Sequence, residues 1–97
     1  MEFEWDDNKN LTNIRKHGIS FEDALEVFSD PMHLPVQDGH VDGEERWRTT
    51  GYVEFMGVIV VAHTIRDENA EREVIRIISA RRAERWERRV YEEGEDR

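Results

Sequence analysis

Val58-Ile59-Val60-Val61-Ala62-His63-Thr64-Ile65-Arg66 reads as a β-strand: it is nearly continuous in apolar and β-branched side chains, and Met56-Gly57 before it supplies a turn. On the other side of that turn, Glu45 to Phe55 alternates. Trp47, Thr49, Val53 and Phe55 share one face, and Arg46, Arg48, Thr50, Tyr52 and Glu54 the other. After the run, Asp67-Glu68-Asn69-Ala70 forms a loop, and Glu73 to Ser79 is a further strand rich in Val and Ile. Strands joined this closely in sequence form an antiparallel meander. A short edge strand at about His33 to Gln37 precedes it, punctuated by Pro31, Pro35 and the turn pairs Asp38-Gly39 and Asp42-Gly43.

Outward from the meander, Phe3 and Trp5 alternate with Glu2, Glu4 and Asp6, the pattern of a half-buried strand. Asp6-Asp7-Asn8 supplies cap residues for a helix from about Asp7 to His17, with Leu11 and Ile14 as a narrow apolar stripe. Lys16 and His17 suit the negative end of its dipole, and Gly18 can take the left-handed stop conformation. Ser20 caps a second helix whose Phe21, Ala24, Leu25 and Phe28 fall on one face, and Pro31 ends it. A last helix, from about Ala80 to Glu93, buries Ala83, Trp86 and Val90 and leaves Arg81, Arg85, Arg88 and Arg89 on one flank. Glu92 to Arg97 forms a frayed acidic end. The expected class is α+β: an N-terminal strand, two helices, an antiparallel sheet of about four further strands and a C-terminal helix. Helices cover one sheet face, and the other is open to a ligand.

The 97 residues, 37% of them hydrophobic, form a single domain spanning 1–97. The longest apolar run, Val58 to Ala62, is far short of the roughly 20 residues a bilayer crossing needs. With no basic-then-apolar leader at the N-terminus, the expectation is a cytoplasmic protein without membrane contact. Zero cysteines exclude disulfides, thiolate catalysis and Cys-based zinc sites. The net charge is −9, and it is uneven: residues 1–50 hold 5 basic and 12 acidic groups, residues 51–97 hold 9 and 11. Arg76 to Arg89 is locally positive, so a basic surface can sit on an acidic molecule. Arginine makes up twelve of the fourteen cations, a bias that favours an oxyanion ligand or a carboxylate-rich partner.

Few side chains remain for chemistry. There is no glycine-rich phosphate loop, nucleophile elbow or metal-ligand spacing; His33 and His40 fall in a turn-rich segment, and no metal or other cofactor is expected. Lys16-His17 pairs a group that titrates near neutrality with a cation able to stabilise a phosphate, though both residues also satisfy a helix dipole. Asn13, one turn earlier, either orients His17 or is exposed polar surface. His63, flanked on its face by Val61 and Ile65, reads as a satisfied core histidine. Arg46 can contact phosphate on the open face or pair with a cross-strand carboxylate. Arg76 and Arg81, five positions apart, point to opposite faces if their strand is regular. No helix-turn-helix spacing supports direct DNA binding.

Phe3-Glu4-Trp5-Asp6, the run Asn13 to Phe21, Glu45-Arg46-Trp47, and Arg76-Ile77-Ile78-Ser79-Ala80-Arg81 followed by Glu87-Arg88 and Tyr91, taken in this order, resemble the BrnT family from Phe3 to Tyr91. That family comprises the toxin halves of bacterial type II toxin–antitoxin pairs. The resemblance implies a RelE-like fold and a ribonuclease that arrests translation. It also implies neutralisation by a BrnA-type antitoxin, through which alone the chain would meet DNA. Carried onto this sequence, it implicates His17 and Lys16, Glu45 and Arg46, and Arg76 and Arg81, with His17 or Glu45 as base or acid and the cations gripping phosphate. The rival reading is a non-catalytic module that binds a partner through its arginine-rich C-terminal helix.

Overall fold

The computed structural model describes residues 1–69 and 72–94, the side chains of residues 68 and 69 excepted. In chain order these form β1 (Glu2–Glu4), α1 (Asp7–His17), α2 (Phe21–Ala24) continued by a 3-10 helix (Leu25–Ser29), β2 (Leu34–Val41), β3 (Glu44–Val53), β4 (Gly57–Asn69), β5 (Arg72–Arg82) and α3 (Arg85–Glu92). The five strands make one sheet in the order β1-β5-β4-β3-β2. Strands β2 to β5 are the antiparallel meander, while β1 joins β5 in parallel, so the fold is α+β with a mixed sheet. No helix among the described residues is long and apolar enough to cross a membrane.

Local chemistry accounts for the N-terminal elements. Asp6 caps α1 by accepting from the backbone N–H groups of Asn8 and Lys9 at 2.8 and 3.2 Å, and Gly18 ends the helix at φ 71°. The Ser20 hydroxyl accepts from the Asp23 N–H at 3.0 Å and starts α2. Between them, the Asn10 side chain accepts from the Phe21 N–H at 2.8 Å and fixes the angle between the two helices.

These helices cover one face of the sheet. Ile19, Phe21, Ala24 and Val27 bury themselves against Val53, Ile59, Val61, Ile75, Ile77 and Ala80. Gly51 has a packing reason: a Cβ there would lie 2.9 Å from both the Val27 side chain and the Val27 carbonyl. His63 is a core residue as expected, 1% exposed and edge-on to Phe28. Its Nδ1 faces the Thr64 carbonyl at 3.3 Å, which can only accept, so Nδ1 carries the ring proton and Nε2 accepts a hydrogen bond from the Thr49 hydroxyl at 2.7 Å.

Six sequence expectations change. The helix expected from Ala80 begins only at Arg85, because Ala80, Arg81 and Arg82 pair with Val61, Val60 and Ile59; long-range ladder pairing overrides local helix propensity. Its Trp86 and Val90 are only partly covered, 57% and 48% exposed, where they line a groove with Leu34, Val36 and Val60 of the sheet, and Glu87 is the buried residue. In α1, Leu11 and Ile14 are also exposed, and Asn13 is buried. Strand β3 stops at Val53, and Phe55 sits in the turn at φ 69°, almost wholly exposed, instead of on the Trp47 face. The edge strand is longer than its expected His33–Gln37, and β4 runs through Asn69; Ala70 and residues 95–97 lie outside the described residues.

Burial holds the His63 pKa at about 4, below its ordinary 6.5, so the native state carries fewer protons than the unfolded chain between these values. Stability from the neutral ring is complete above about pH 6.5 and is lost as pH falls toward 4, by about 3 kcal/mol. Urea unfolding of the wild type and of His63→Gln is expected to show the wild type's advantage shrinking across that window; a constant difference would contradict it.

Candidate functional site

The register of the central strands decides which side chains share a face. Across β3, β4 and β5, Arg46 lies opposite Thr64 and Thr64 opposite Arg76; Arg48 lies opposite Ala62 and Ala62 opposite Ser79; Thr50 lies opposite Val60 and Val60 opposite Arg81. Residues paired across a ladder project to the same side. Arg46, Arg48, Arg76 and Arg81 therefore all stand on the face away from α1 and α2. Arg76 and Arg81 share it because β5 is not regular: between Ala62 and His63 its register jumps from Ser79 to Ile77, leaving Ile78 as an extra residue. The regular strand expected from sequence would put these two arginines on opposite sides.

The result is a shallow trough. Its floor is the short, buried pair Ala62 and Thr64 of β4, and its walls are an arginine column on β3 and another on β5. With neighbouring strands about 4.8 Å apart, the two columns stand about 10 Å apart at their backbones, close enough for long side chains to converge on one group.

The cations differ in how they are held. Glu4 of β1 accepts from Arg76 at 2.8 Å and from Arg66 at 3.4 Å. Glu87 of α3 takes Arg81 in a two-pronged pair at 2.7 and 2.9 Å and lies 3.8 Å from Arg48. Hydrogen bonding to Arg81 holds the Glu87 carboxyl below its ordinary pKa, and the same bond pushes Arg81 up. Asp38 lies 3.4 Å from the Arg48 Nε, within ion-pair range but outside hydrogen-bond geometry. Arg46 has a buried Nε without a hydrogen-bond partner among the described residues.

The remaining sequence candidates lie elsewhere. Lys16 and His17, exposed at the end of α1, border a concavity with Asn13, Ile78 and Ser79, on the flank of β5 that β1 leaves uncovered. Ser79, the partner of Ala62, links this concavity to the trough. Glu45 lies on the other side of β3 from Arg46, exposed, accepting from Gln37 at 3.1 Å. Strand alternation alone separates it from the arginines.

Asn13 places the Lys16-His17 end. Its amide donates to the Ile19 and Ala80 carbonyls at 2.9 and 2.8 Å and accepts from the Ala80 N–H at 3.1 Å. It thus stands in for the strand that β5 lacks beyond Arg76, which is why it is buried. From sequence, Asn13 reads as surface or as a partner of His17, and Arg48 and Glu87 have no role. Arg48 does carry a signal, since two positions along a strand from Arg46 is the same face. Glu87 enters the sequence reading only within the Glu87-Arg88 motif of the resemblance, because its place on the arginine face depends on where α3 begins.

Residues 5–87 match the family described as the ribonuclease toxin, BrnT, of type II toxin–antitoxin systems. No curated protein matches the chain. A solved structure does: the crystal structure of the Brucella abortus ribonuclease toxin BrnT, at TM-score 0.62 and 26% identity, over 88% of this chain and 99% of that one. A mixed sheet with helices on both faces is thus a fold that this chain shares with a small ribonuclease toxin. The chain belongs to the BrnT ribonuclease-toxin family of type II toxin–antitoxin systems.

Replacing Asn13 by Ala leaves three buried backbone groups without partners, at about 1 to 3 kcal/mol each. Urea denaturation is expected to show a loss of about 3 kcal/mol or more for Asn13→Ala, against under about 0.5 kcal/mol for the exposed Leu11→Ala.

Proposed function

We propose that the chain is a metal-independent endoribonuclease that cleaves RNA in the cytoplasm to inhibit translation and is neutralised by a BrnA-type antitoxin, through which alone it meets DNA. The observation that carries the reading is the shared face of Arg46, Arg76 and Arg81, which gathers guanidinium groups on a chain of net charge −9, Arg76 and Arg81 each steadied by a carboxylate, Glu4 and Glu87. An RNA phosphate is the ligand whose charge and fork-matching oxygens suit such a set.

The chemistry derives from those groups. A base takes the proton of an RNA 2′-hydroxyl, the oxygen bonds to the adjacent phosphorus, the bond to the 5′-oxygen breaks, and a proton goes to that leaving oxygen. The products are a 2′,3′-cyclic phosphate and a free 5′-hydroxyl. Arg46, Arg76 and Arg81 stabilise the extra charge on the phosphorane, each contact worth roughly 2 to 4 kcal/mol in a dry site. Lys16 supplies a further cation from the flank. Of the two proton-transfer candidates, His17 is favoured over Glu45 because its concavity adjoins the trough through Ser79, whereas Glu45 lies across β3 from Arg46.

A second reading has its own observation. The half-exposed Trp86 and Val90, which line an apolar groove with Leu34, Val36 and Val60, and the neighbouring Arg85, Arg88 and Arg89 suit a non-catalytic module that holds an acidic, amphipathic partner on α3. Binding without RNA turnover is its signature.

Purified chain, free of any partner, is expected to cleave RNA in EDTA and leave 2′,3′-cyclic ends, with Arg46→Ala and His17→Ala each slowing cleavage about 100-fold. Full activity in both variants would refute the assigned site.

A further inference from the structure

Glu87 is the carboxylate most deeply set into the arginine face: its side chain is 6% exposed, and it approaches two guanidinium groups, Arg81 and Arg48. It also accepts from the Glu84 N–H at 2.8 Å, which ties it to the first turn of α3. The far end of that helix is anchored too, by a hydrogen bond from the Tyr91 hydroxyl to Asp30, whose carboxylate also accepts from the Tyr52 and Met32 N–H groups at 2.8 Å. A carboxylate fixed this way is a bracket, not a loose counter-ion. It holds Arg81 of β5 and faces Arg48 of β3, spanning the trough above Val60 and Ala62.

We propose that Arg48 is a further phosphate-binding residue of the trough, and that Glu87 is the positioning residue that aims Arg48 and Arg81 together. This rests on the ribonuclease reading for its ligand, an RNA phosphate. Arg48 shares the face of Arg46, stands two residues along the same strand, and has a side chain 35% exposed whose guanidinium makes no hydrogen bond among the described residues. A guanidinium braced on one side by Glu87 and Asp38 keeps N–H groups for a second anion, and bracing lowers the conformational freedom that the anion must remove.

The test separates aiming from plain charge, because deleting a negative charge beside two arginines should by itself strengthen RNA binding. Binding of a single-stranded oligoribonucleotide made non-cleavable by 2′-O-methyl groups is measured by fluorescence anisotropy over a range of salt, with melting curves to confirm folding. Glu87→Gln is expected to bind about fivefold or more weaker despite its more positive charge. Arg48→Ala is expected to bind about tenfold weaker and to flatten the slope of log affinity against log salt by about 0.7, the loss of one phosphate contact. Arg48→Lys, which keeps the charge without the fork, keeps the slope and loses affinity; it serves if Glu87→Gln does not fold. Tighter or unchanged binding by Glu87→Gln, or a wild-type slope in Arg48→Ala, overturns the proposal. Cleavage of unmodified RNA by the wild type is scored separately. Its absence defeats the ribonuclease reading while the binding series still decides on Arg48 and Glu87.

Discussion

One extra residue in β5 sets the positions of the core, the arginine face and the first helix. With Ile78 bulged out, Ile77 and Ala80 both face the helical core, although three positions apart, and Arg76 and Arg81 both face the other way, although five apart. A regular strand cannot do both, since its side chains alternate strictly. The bulge lies just beyond the last residue that β1 pairs with, so the same stretch of β5 also has an uncovered flank. Asn13 bonds to that flank and draws α1 against it, which brings Lys16 and His17 to the edge of the sheet. A single irregularity thus serves packing and chemistry together.

Electrostatics is arranged at short range within an unfavourable whole. The chain carries −9, yet its acids do not dilute the arginine face at random. Glu4 and Glu87 take fixed positions at two ends of it, one gripping Arg76 and Arg66, the other Arg81. Gathering several half-exposed guanidinium groups side by side brings like charges together, and these carboxylates offset that repulsion at Arg66, Arg76 and Arg81. The cost is that a net charge of −9 gives the molecule an outer field that repels polyanions, so the RNA recognition proposed above would be confined to groups that reach the trough.

Much of the fold is legible in the sequence, and the reasons are local. The cap at Asp6, the stop at Gly18, the start at Ser20 and the alternation of β3 are written in residues whose preferences act within a few positions. Expectation fails where partners distant in sequence decide. Ala80 to Arg82 suit a helix, but the ladder to β4 claims them; Asn13 looks like surface until an uncovered strand edge is beside it; and α3 leaves its apolar pair Trp86 and Val90 half-exposed over the sheet while an ion pair buries Glu87. The site is legible as a set of residue types. Its division into a trough, a flanking pair and a distant Glu45 is not, because that depends on one bulge and on strand parity.

The Asp30 carboxylate joins three stretches of chain that share no ladder: its own turn at Met32, the β3 backbone at Tyr52 and the tail of α3 at Tyr91. A single acidic side chain is therefore the keystone between the helical layer on one side and the terminal helix on the other. Removing that one carboxylate would release all three attachments together, the β3 backbone, the turn and the tail of α3.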